Sequence, residues 1–315
     1  MEKYVFGVDI GGTAVKIGIF TLDGKLIDKW EIETRTQENG KNILPDIAQS
    51  IKVKIDKMSL KNEQIAGVGF GVPGPVMDES IVNKCVNLGW GIVNISEEFE
   101  KLTGFKTKAA NDANVAALGE LWQGGGRGCK TMVMVTLGTG VGGGIIVNGK
   151  IVAGANGAGG EIGHIPMKYH AEEPEECGCG KRGCLEQYAS ANGLVRTTRR
   201  YLESHPEFET SLKKYVKLSA RDICTEALLG DKVAIDRVEY SMNLLGKGLA
   251  MVANVIDPEV FVIGGGLTKS GSLITETAHQ SYVKYCFHSC ENTPFKLAEL
   301  GNNAGIYGAA KLVID

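Results

Sequence analysis

Three cysteines lie within eight positions of one another in the segment CGCGKRGCLE. Thiolates are strong zinc ligands, and a structural zinc ion takes four protein ligands in a tetrahedron, so Cys177, Cys179 and Cys184 would need one more. His164 and His170 both precede the cysteines, and the residues alone leave the choice between them open. Redox chemistry or free thiols are the alternatives, but C-x-C-x₄-C is a poor spacing for a redox pair, so a zinc site is the prediction.

Three glycine-rich turns each follow a short apolar run: DIGGT (9–13), LGTGVGGG (137–144) and IGGGL (263–267). A strand that ends in glycines exposes backbone N–H groups, and glycine lets phosphate oxygens approach them closely. Two such hairpins facing each other would hold a polyphosphate, the third turn would lie against the nucleoside, and Asp9 could bind Mg²⁺. Glycine that merely bends a sheet explains one turn but not the set, so the three turns together predict nucleotide binding.

The elements around the first two turns form a repeat. The apolar run 4–10, its glycine turn, a second run, an Asp-Gly turn and a third run are matched in order from residue 132, with Asn-Gly at the second turn. The offset is 125 residues between Gly24 and Gly149, which end the two hairpin turns. A repeat this long predicts two similar domains that face each other. A hairpin, not a helix, follows the GxGxxG-like string of the second turn, which argues against a dehydrogenase.

Helical spacing of apolar residues is found in several segments between the strands, for example in the isoleucines at steps of four within 42–58. Ser96 is predicted to begin a helix, and Ser219 is predicted to be the N-cap of another. The predicted helices are 42–58, a helix from Ser96, 113–122, 219–229, 234–255 and a tail from Ala304.

The composition is that of an ordinary globular chain apart from its glycine. The 315 residues include 43 glycines, and the net charge is −3. The absence of a long basic run argues against nucleic-acid binding. No apolar run approaches the roughly 20 residues of a membrane span, and the first residues lack the apolar core of a signal peptide, so a cytoplasmic location is predicted. The cysteines outside the cluster are predicted to be ordinary thiols: Cys85, Cys129, Cys224, Cys286 and Cys290.

Six motifs, in order along the chain, resemble those of the ROK family of sugar kinases and repressors: DIGGT, VGFGVPGPV (68–76), NDAN (111–114), LGTGVGGG, GAGGEIGH (157–164) and CGCGKRGCLE. NLGW (87–90) and ASANGLVR (189–196) most resemble the bacterial ATP-dependent glucokinases. The resemblance implies an α/β fold of the two-lobed hexokinase/actin-like (ribonuclease-H-like) type, with a ligand cleft between duplicated domains. It also implies ATP-dependent phosphorylation of the 6-hydroxyl of glucose, with Mg²⁺ bound beside ATP.

The resemblance assigns roles to individual residues. Asp112 matches the general base that takes the proton from the 6-hydroxyl, although a carboxylate at a helix N-terminus can equally be an N-cap. His164 matches the fourth zinc ligand, and binding through one ring nitrogen would leave the other for a sugar hydroxyl. The implied sugar-binding residues are Gly71, Pro73, Asn87, Asn111, Asp112, Glu161, His164 and Glu186. The implied residues for ATP and Mg²⁺ are Asp9, Gly11, Gly12, Thr13, Lys16, Gly138, Thr139, Gly140, Gly264, Gly265 and Gly266.

Two domains are expected: a small one from residues 1–111 with the C-terminal helix at about 304–315, and a large one from residues 112–303 that carries the structural zinc. The resemblance implies a homodimer through the larger domain. Kinases for N-acetylmannosamine, N-acetylglucosamine or fructose share the motifs, so the choice of hexose stays open. A sugar-sensing repressor would need a DNA-binding domain ahead of the first strand, and the run that begins at Tyr4 leaves no room for one.

Overall fold

The computed structural model of the protein describes residues 2–168 and 173–314. The strands are β1 (Tyr4–Ile10), β2 (Ala14–Thr21), β3 (Leu26–Glu33), β4 (Ile65–Val72), β5 (Val76–Met77), β6 (Ile81–Cys85), β7 (Trp90–Asn94), β8 (Thr107–Asn111), β9 (Met132–Leu137), β10 (Val141–Val147), β11 (Lys150–Ile151), β12 (Val260–Gly264) and β13 (Phe295–Leu297). The α-helices are α1 (Ile43–Lys57), α2 (Ile95–Thr103), α3 (Asp112–Gln123), α4 (Glu186–Ala189), α5 (Ala191–Ser204), α6 (Ala220–Leu228), α7 (Lys232–Ile256), α8 (Ser272–Tyr285) and α9 (Ala304–Ile314). In the part of the chain that the structure describes, no helix combines the length and the apolar character that crossing a membrane requires.

The chain divides into two compact units. Unit 1 contains Met1–Lys130, Gly144–Gly160 and Glu299–Asp315, and unit 2 contains Thr131–Gly143 and Glu161–Ala298. The folding-domain boundaries expected from the sequence stay a prediction.

The first sheet has the strand order β3-β2-β1-β4-β8. Strands β1, β2 and β3 form an antiparallel meander, whereas β4 runs parallel to β1 and β8 runs parallel to β4. The central strand β1 is buried along most of its length, which is why its sequence is nearly continuously apolar. The turn between β2 and β3 requires glycine, since Gly24 has a φ of +95°.

The second sheet repeats this arrangement in the order β11-β10-β9-β12-β13. Strand β11 is antiparallel to β10, whereas β12 is parallel to β9 and β13 is parallel to β12. Asn148 and Gly149, between β10 and β11, both have positive φ (52° and 78°), as a tight two-residue hairpin turn requires. The matching strand orders confirm the duplication that was predicted from the repeat.

The predicted helices are found near their predicted positions. Ser219 is the N-cap of α6, because its hydroxyl accepts the N–H of Asp222 at 3.2 Å. The prediction that a helix begins at Ser96 is wrong by one residue: α2 begins at Ile95, and its cap is Asn94, whose side-chain oxygen accepts the N–H of Glu97 at 3.1 Å. Asparagine caps a helix as well as serine does.

Helix α9 packs against the first sheet and against α3 through glycines. A Cβ added to Gly308 would lie 1.5 Å from the carbonyl oxygen of Val115, and one added to Gly69 would lie 1.7 Å from the carbonyl oxygen of Ala309. Because only glycine allows backbones to come this close, these glycines set the position of α3 within unit 1. The first residue of α3 is Asp112.

Candidate active site

Three predicted site residues stand where the parallel strands β1, β4 and β8 end. Asp9 pairs with Gly71 across β1 and β4, and Val72 pairs with Asn111 across β4 and β8. The carboxyl ends of parallel strands meet at one edge of a sheet, and this is where open α/β sheets bind their ligands. The strand order therefore brings Asp9, Gly71 and Asn111 to one edge of unit 1.

Asn111 caps the helix that Asp112 begins. The Oδ1 atom of Asn111 accepts the N–H groups of Ala113 at 3.0 Å and Asn114 at 3.3 Å, and its Nδ2 donates to the carbonyl oxygen of Gly74 at 3.1 Å. The N-cap role that the sequence left open for Asp112 therefore belongs to Asn111. The Oδ1 atom of Asp112 accepts the N–H of Ala113 at 2.8 Å, and acidic side chains are favoured in the first turn of a helix.

Asp9 is a half-buried carboxyl at the same edge. Burial raises the pKa of Asp9 to about 6, the neighbouring Lys16 opposes this shift, and the Asp112 carboxylate adds to it. Lys16 is the cross-strand partner of Asp9 on β2. A Cβ added to Gly305 would lie 2.6 Å from Cγ of Asp9, so the first turn of α9 covers the carboxyl. Burial disfavours the charged form of this carboxyl, and a bound cation would stabilise that form. The surroundings of Asp9 therefore fit the predicted Mg²⁺ site.

The first glycine turn is held by backbone groups and one hydroxyl. The Gly11 N–H donates to the carbonyl oxygen of Ala14 at 3.0 Å, and the Thr34 hydroxyl donates to the carbonyl oxygen of Gly11 at 2.7 Å. The Thr34 N–H donates to the carbonyl oxygen of Thr13 at 3.0 Å. A Cβ added to the exposed Gly12 would meet no atom within 4 Å, so the turn presents its backbone at this residue.

The other predicted sugar contacts of unit 1 lie in turns. Pro73 directly follows β4, and Asn87 is exposed in the short 3-10 turn Val86–Leu88. This turn joins two strands of a small antiparallel sheet, β5-β6-β7, which the sequence did not indicate.

The two glycine turns of unit 2 lie against each other. A Cβ added to Gly265, whose φ is +93°, would lie 2.5 Å from the carbonyl oxygen of Leu137. The Gly138 N–H donates to the carbonyl oxygen of Gly140 at 3.0 Å, and Thr139 between them is exposed. The turns follow β9 and β12, which are parallel neighbours, and this pairing brings the predicted phosphate and nucleoside turns together.

Glu186 begins the short helix α4, and its carboxylate reaches the second glycine turn. Its Oε2 accepts the N–H of Val141 at 3.0 Å, and a Cβ added to Gly140 would lie 2.0 Å from the same oxygen. Its Oε1 lies 3.7 Å from Sγ of Cys177. The carboxylate therefore lies between the turn and the cysteine cluster, a contact that the sequence did not predict.

Four predicted metal ligands converge in unit 2. The ligand atoms of His164, Cys177, Cys179 and Cys184 all lie within 4.8 Å of one another. The Sγ atoms of Cys179 and Cys184 are 3.7 Å apart, and Sγ of Cys177 is 3.6 Å from Nδ1 of His164. With ligands about 2.3 Å (sulfur) and about 2.0–2.1 Å (nitrogen) from zinc, a tetrahedron separates two sulfurs by about 3.8 Å and a sulfur from a nitrogen by about 3.6 Å. The donor set and its spacing fit a zinc ion.

The two ring nitrogens of His164 have different neighbours. Nδ1 faces Cys177, whereas Nε2 lies 3.8 Å from Oε2 of Glu161, a side chain that is mostly exposed. The structure thus brings Glu161 and His164 together beside the cluster. His170, the alternative ligand, lies outside the described residues.

The thiols of the cluster differ in their surroundings. Burial raises the pKa of Cys177, and burial together with the neighbouring thiols raises the pKa of Cys184 to about 12. A hydrogen bond from the backbone of Lys181 lowers the pKa of Cys179, which is exposed. Buried thiols gain from a metal ion, because the ion binds the thiolate and displaces the proton.

Gln187 orders the loop that carries the cysteines, a role that the sequence did not indicate. Its Oε1 accepts the N–H groups of Gly183 at 2.7 Å and Cys184 at 3.1 Å, and its Nε2 donates to the carbonyl oxygen of Glu175 at 3.0 Å. The buried side chain therefore ties together the chain on both sides of Cys177 and Cys179.

Tyr188 fixes the helix that Glu186 begins. Its hydroxyl donates to Oε2 of Glu173 at 2.7 Å, and Arg200 donates to Oε1 of Glu173 at 2.9 Å. Tyr188 and Glu173 are both almost fully buried, so this network holds α4 in place from the side of the core.

The predicted sugar contacts divide between the units. Asn111 and Asp112 belong to unit 1 together with Gly71, Pro73 and Asn87, whereas unit 2 contains Glu161, His164 and Glu186. The predicted ATP residues divide in the same way, with the DIGGT turn in unit 1 and the turns that follow β9 and β12 in unit 2.

The ROK family model matches residues 5–315. The chain is 38% identical to a glucokinase of Halalkalibacterium halodurans, over 99% of this chain and 95% of that protein. It is 31% identical to an N-acetyl-D-glucosamine kinase of Mannheimia succiniciproducens, over 98% and 99%. Its fold is similar to that of a ROK family glucokinase from Streptomyces griseus solved with glucose and AMPPNP, with a TM-score of 0.71, 31% identity and 98% of each chain covered.

The chain therefore belongs to the ROK family, and it has the two-unit α/β fold of the ROK sugar kinases. Within that family it is an ATP-dependent hexose kinase.

Proposed function

We propose that the protein transfers the γ-phosphoryl group of ATP to the 6-hydroxyl of glucose, with Asp112 as the general base. The arrangement at the start of α3 carries this proposal: Asn111 caps the helix, so the Asp112 carboxylate is not required as the cap. Glucose and ATP are favoured because the glucokinase relative has the higher identity of the two kinases compared, and because a glucokinase of similar fold was solved with glucose and AMPPNP.

In the proposed reaction, the 6-oxygen forms a bond to the γ-phosphorus while the bond from that phosphorus to the β–γ bridging oxygen breaks. Asp112 accepts the hydroxyl proton, and ADP leaves. Catalysis of this kind depends mainly on positioning and on stabilising the phosphoryl charge. The backbone N–H groups of the glycine turns are suited to the phosphates, and Mg²⁺ bound near Asp9 would add positive charge there.

Asn111 has hydrogen-bonding capacity left for a sugar. Its Nδ2 carries two N–H donors, and the carbonyl oxygen of Gly74 uses one of them. In unit 1 the proposed sugar contacts thus include the amide of Asn111, next to the base. In unit 2 they include the imidazole of His164 and the carboxylates of Glu161 and Glu186.

We also propose that the cluster binds a structural zinc ion, held by Nδ1 of His164 and the Sγ atoms of Cys177, Cys179 and Cys184. The ion would fix the ring of His164 and leave Nε2, on the side of Glu161, for a sugar hydroxyl.

A coupled ADP-release assay with MgATP tests the function on glucose, N-acetylglucosamine, N-acetylmannosamine, fructose and mannose. We expect glucose to be the preferred substrate and Asp112→Asn to lower kcat by about 10²–10⁴-fold, the usual contribution of a general base. Glu98→Gln is the matched control, because Glu98 is an exposed carboxylate in the first turn of α2 in the same unit. Activity of Asp112→Asn within a few-fold of the parent enzyme would contradict the role of the base.

A second candidate is N-acetylglucosamine, because a kinase for that sugar is 31% identical over nearly the whole chain. Preferred turnover of an N-acetyl sugar in the same assay would keep the mechanism and replace the substrate. The homodimer and the cytoplasmic location expected from the sequence stay predictions, and light scattering after size exclusion measures the first of them.

A further inference from the structure

The carboxylate of Glu186 lies where a phosphate oxygen is expected. The second glycine turn was predicted to bind phosphate at Gly138, Thr139 and Gly140. The next backbone N–H of the same motif, that of Val141, donates to Oε2 of Glu186 at 3.0 Å. A Cβ added to Gly140 would lie 2.0 Å from the same oxygen, so the carboxylate lies directly against the backbone of the turn.

A carboxylate oxygen and a phosphate oxygen use the same donors and have the same sign of charge. Two anions that compete for one N–H group cannot both be bound to it, and they repel each other strongly where the surroundings are partly buried. With the Glu186 carboxylate on Val141, the turn is therefore poorly prepared for a polyphosphate.

We propose that Glu186 makes nucleotide binding depend on the sugar. In the sugar-free protein its carboxylate occupies the N–H of Val141, and a sugar hydroxyl that donates to Glu186 draws the carboxylate away and frees the turn for phosphate. The inference rests on the proposed function, because the sugar contact of Glu186 is part of that function. Sugar and nucleotide then bind cooperatively, and each raises the affinity of the other by the same factor.

The contact between Glu186 and Val141 has an alternative explanation: the carboxylate could stabilise the second glycine turn in every state of the enzyme. A support would be needed in every state, so its removal would weaken nucleotide binding. A carboxylate that blocks the turn has the opposite effect, and its removal strengthens nucleotide binding in the absence of sugar. The sign of the change therefore distinguishes the two roles.

The experiment is a calorimetric titration of MgADP into the full-length protein without sugar and again with saturating glucose, for the parent enzyme and for Glu186→Gln. Glutamine keeps the size of the side chain and removes its charge. We expect the affinity of Glu186→Gln for MgADP without sugar to rise about tenfold, the size of one exchanged charge-assisted hydrogen bond. Sugar should no longer increase it, and hydrolysis of ATP without sugar should rise.

Two further variants accompany the test. Glu176→Gln removes an equivalent charge from an exposed side chain of the same loop, which pairs with Arg182, and should leave MgADP affinity unchanged. Glu186→Asp withdraws the carboxylate by one methylene and should give a smaller increase in affinity. The zinc content of all proteins is matched, because Oε1 of Glu186 lies 3.7 Å from Sγ of Cys177.

Unchanged or weaker MgADP affinity in both Glu186 variants, in an enzyme whose parent phosphorylates a hexose, overturns this inference and leaves the proposed function in place. A parent enzyme that phosphorylates no hexose overturns the proposed function itself, and the inference with it.

Discussion

The first and second glycine turns occupy equivalent places in the two sheets, each after the central strand, but they are held in different ways. The first turn is held by backbone hydrogen bonds, by the Thr34 hydroxyl and by the close approach of Gly305 in α9 to Asp9. The second is met by Glu186, which comes from a loop ordered by Gln187 and the cysteine cluster. The first turn thus depends on the neighbouring chain at Thr34 and on the packing of α9, whereas the second is contacted by a carboxylate that lies beside the cysteine cluster.

The largest effect is expected from removing one ligand of the cysteine cluster. Of the two glycine turns, only the second should become less ordered. We expect Cys184→Ser to lose bound zinc and to destabilise unit 2 by several kcal/mol, because a structural zinc ion contributes directly to the free energy of folding. Hydrogen exchange should increase in 137–144, 161–168 and 173–190 but not in 9–14. Metal content by mass spectrometry and peptide-resolved exchange measure both effects.

Cys286→Ser is the matched control, because Cys286 is a half-buried thiol of the same unit and is not among the converging ligands of the described residues. It should retain zinc and normal exchange. Equal zinc loss in both variants, or faster exchange in the first turn of Cys184→Ser, would contradict the separate supports of the two turns.

The next effect concerns the packing of α9 in unit 1, the helix whose first turn covers Asp9. Gly308→Ala places a Cβ 1.5 Å from the carbonyl oxygen of Val115, so α9 must move away from α3, and we expect the free energy of unfolding to fall by about 3 kcal/mol. Gly91→Ala is the control in the same unit, because a Cβ there would meet no atom within 4 Å. Denaturant unfolding measures the difference, and similar stabilities of the two variants would contradict the proposed role of the glycine contact.

The sequence predicted the strands and turns of both units, because these belong to regular secondary structure. Strand runs, glycine turns and hairpin turns depend on local propensity, and the duplication followed from their order. The four metal ligands were indicated by residue type and by the family motif. The contacts of Glu186 and Gln187 were not predictable, because they depend on loop geometry and on backbone groups that no residue type reveals. Asn111 was assigned to the sugar, and its capping role was missed because Asp112 beside it is an equally good capping residue.

A third effect concerns Asp9, whose partial burial disfavours the charged carboxylate that the proposed Mg²⁺ site would use. The difference between an ordinary aspartate pKa of 3.8 and a value of about 6 corresponds to about 3 kcal/mol at neutral pH. We therefore expect Asp9→Asn to raise the free energy of unfolding of the Mg²⁺-free protein at pH 7 by up to about that amount, while its ATP-dependent turnover falls.

The pH dependence of the free energy of unfolding tests the sign of the Asp9 contribution independently. Because burial raises the pKa of Asp9, its contribution favours the folded state below pH 3.8 and is lost as the pH rises through about 6. The pKa of the exposed Asp23 is lowered by the Thr21 hydroxyl, so its contribution is lost as the pH falls instead. Asp23→Asn should therefore not stabilise the protein at pH 7, and equal stabilisation by both substitutions would show that burial of Asp9 is not the cause.

The smallest expected effect separates capping from catalysis at the edge of the first sheet. Asn94→Ala and Asn111→Ala each remove a side chain that caps a helix of unit 1, and each should lower the free energy of unfolding by about 1 kcal/mol. Asn111 also lies next to the proposed base and donates to the carbonyl oxygen of Gly74, so only Asn111→Ala should raise the KM for glucose and lower kcat. Equal losses of activity in the two variants would mean that Asn111 acts on turnover only through the stability of its helix, and the sugar contact would then have to be assigned elsewhere on the sheet edge.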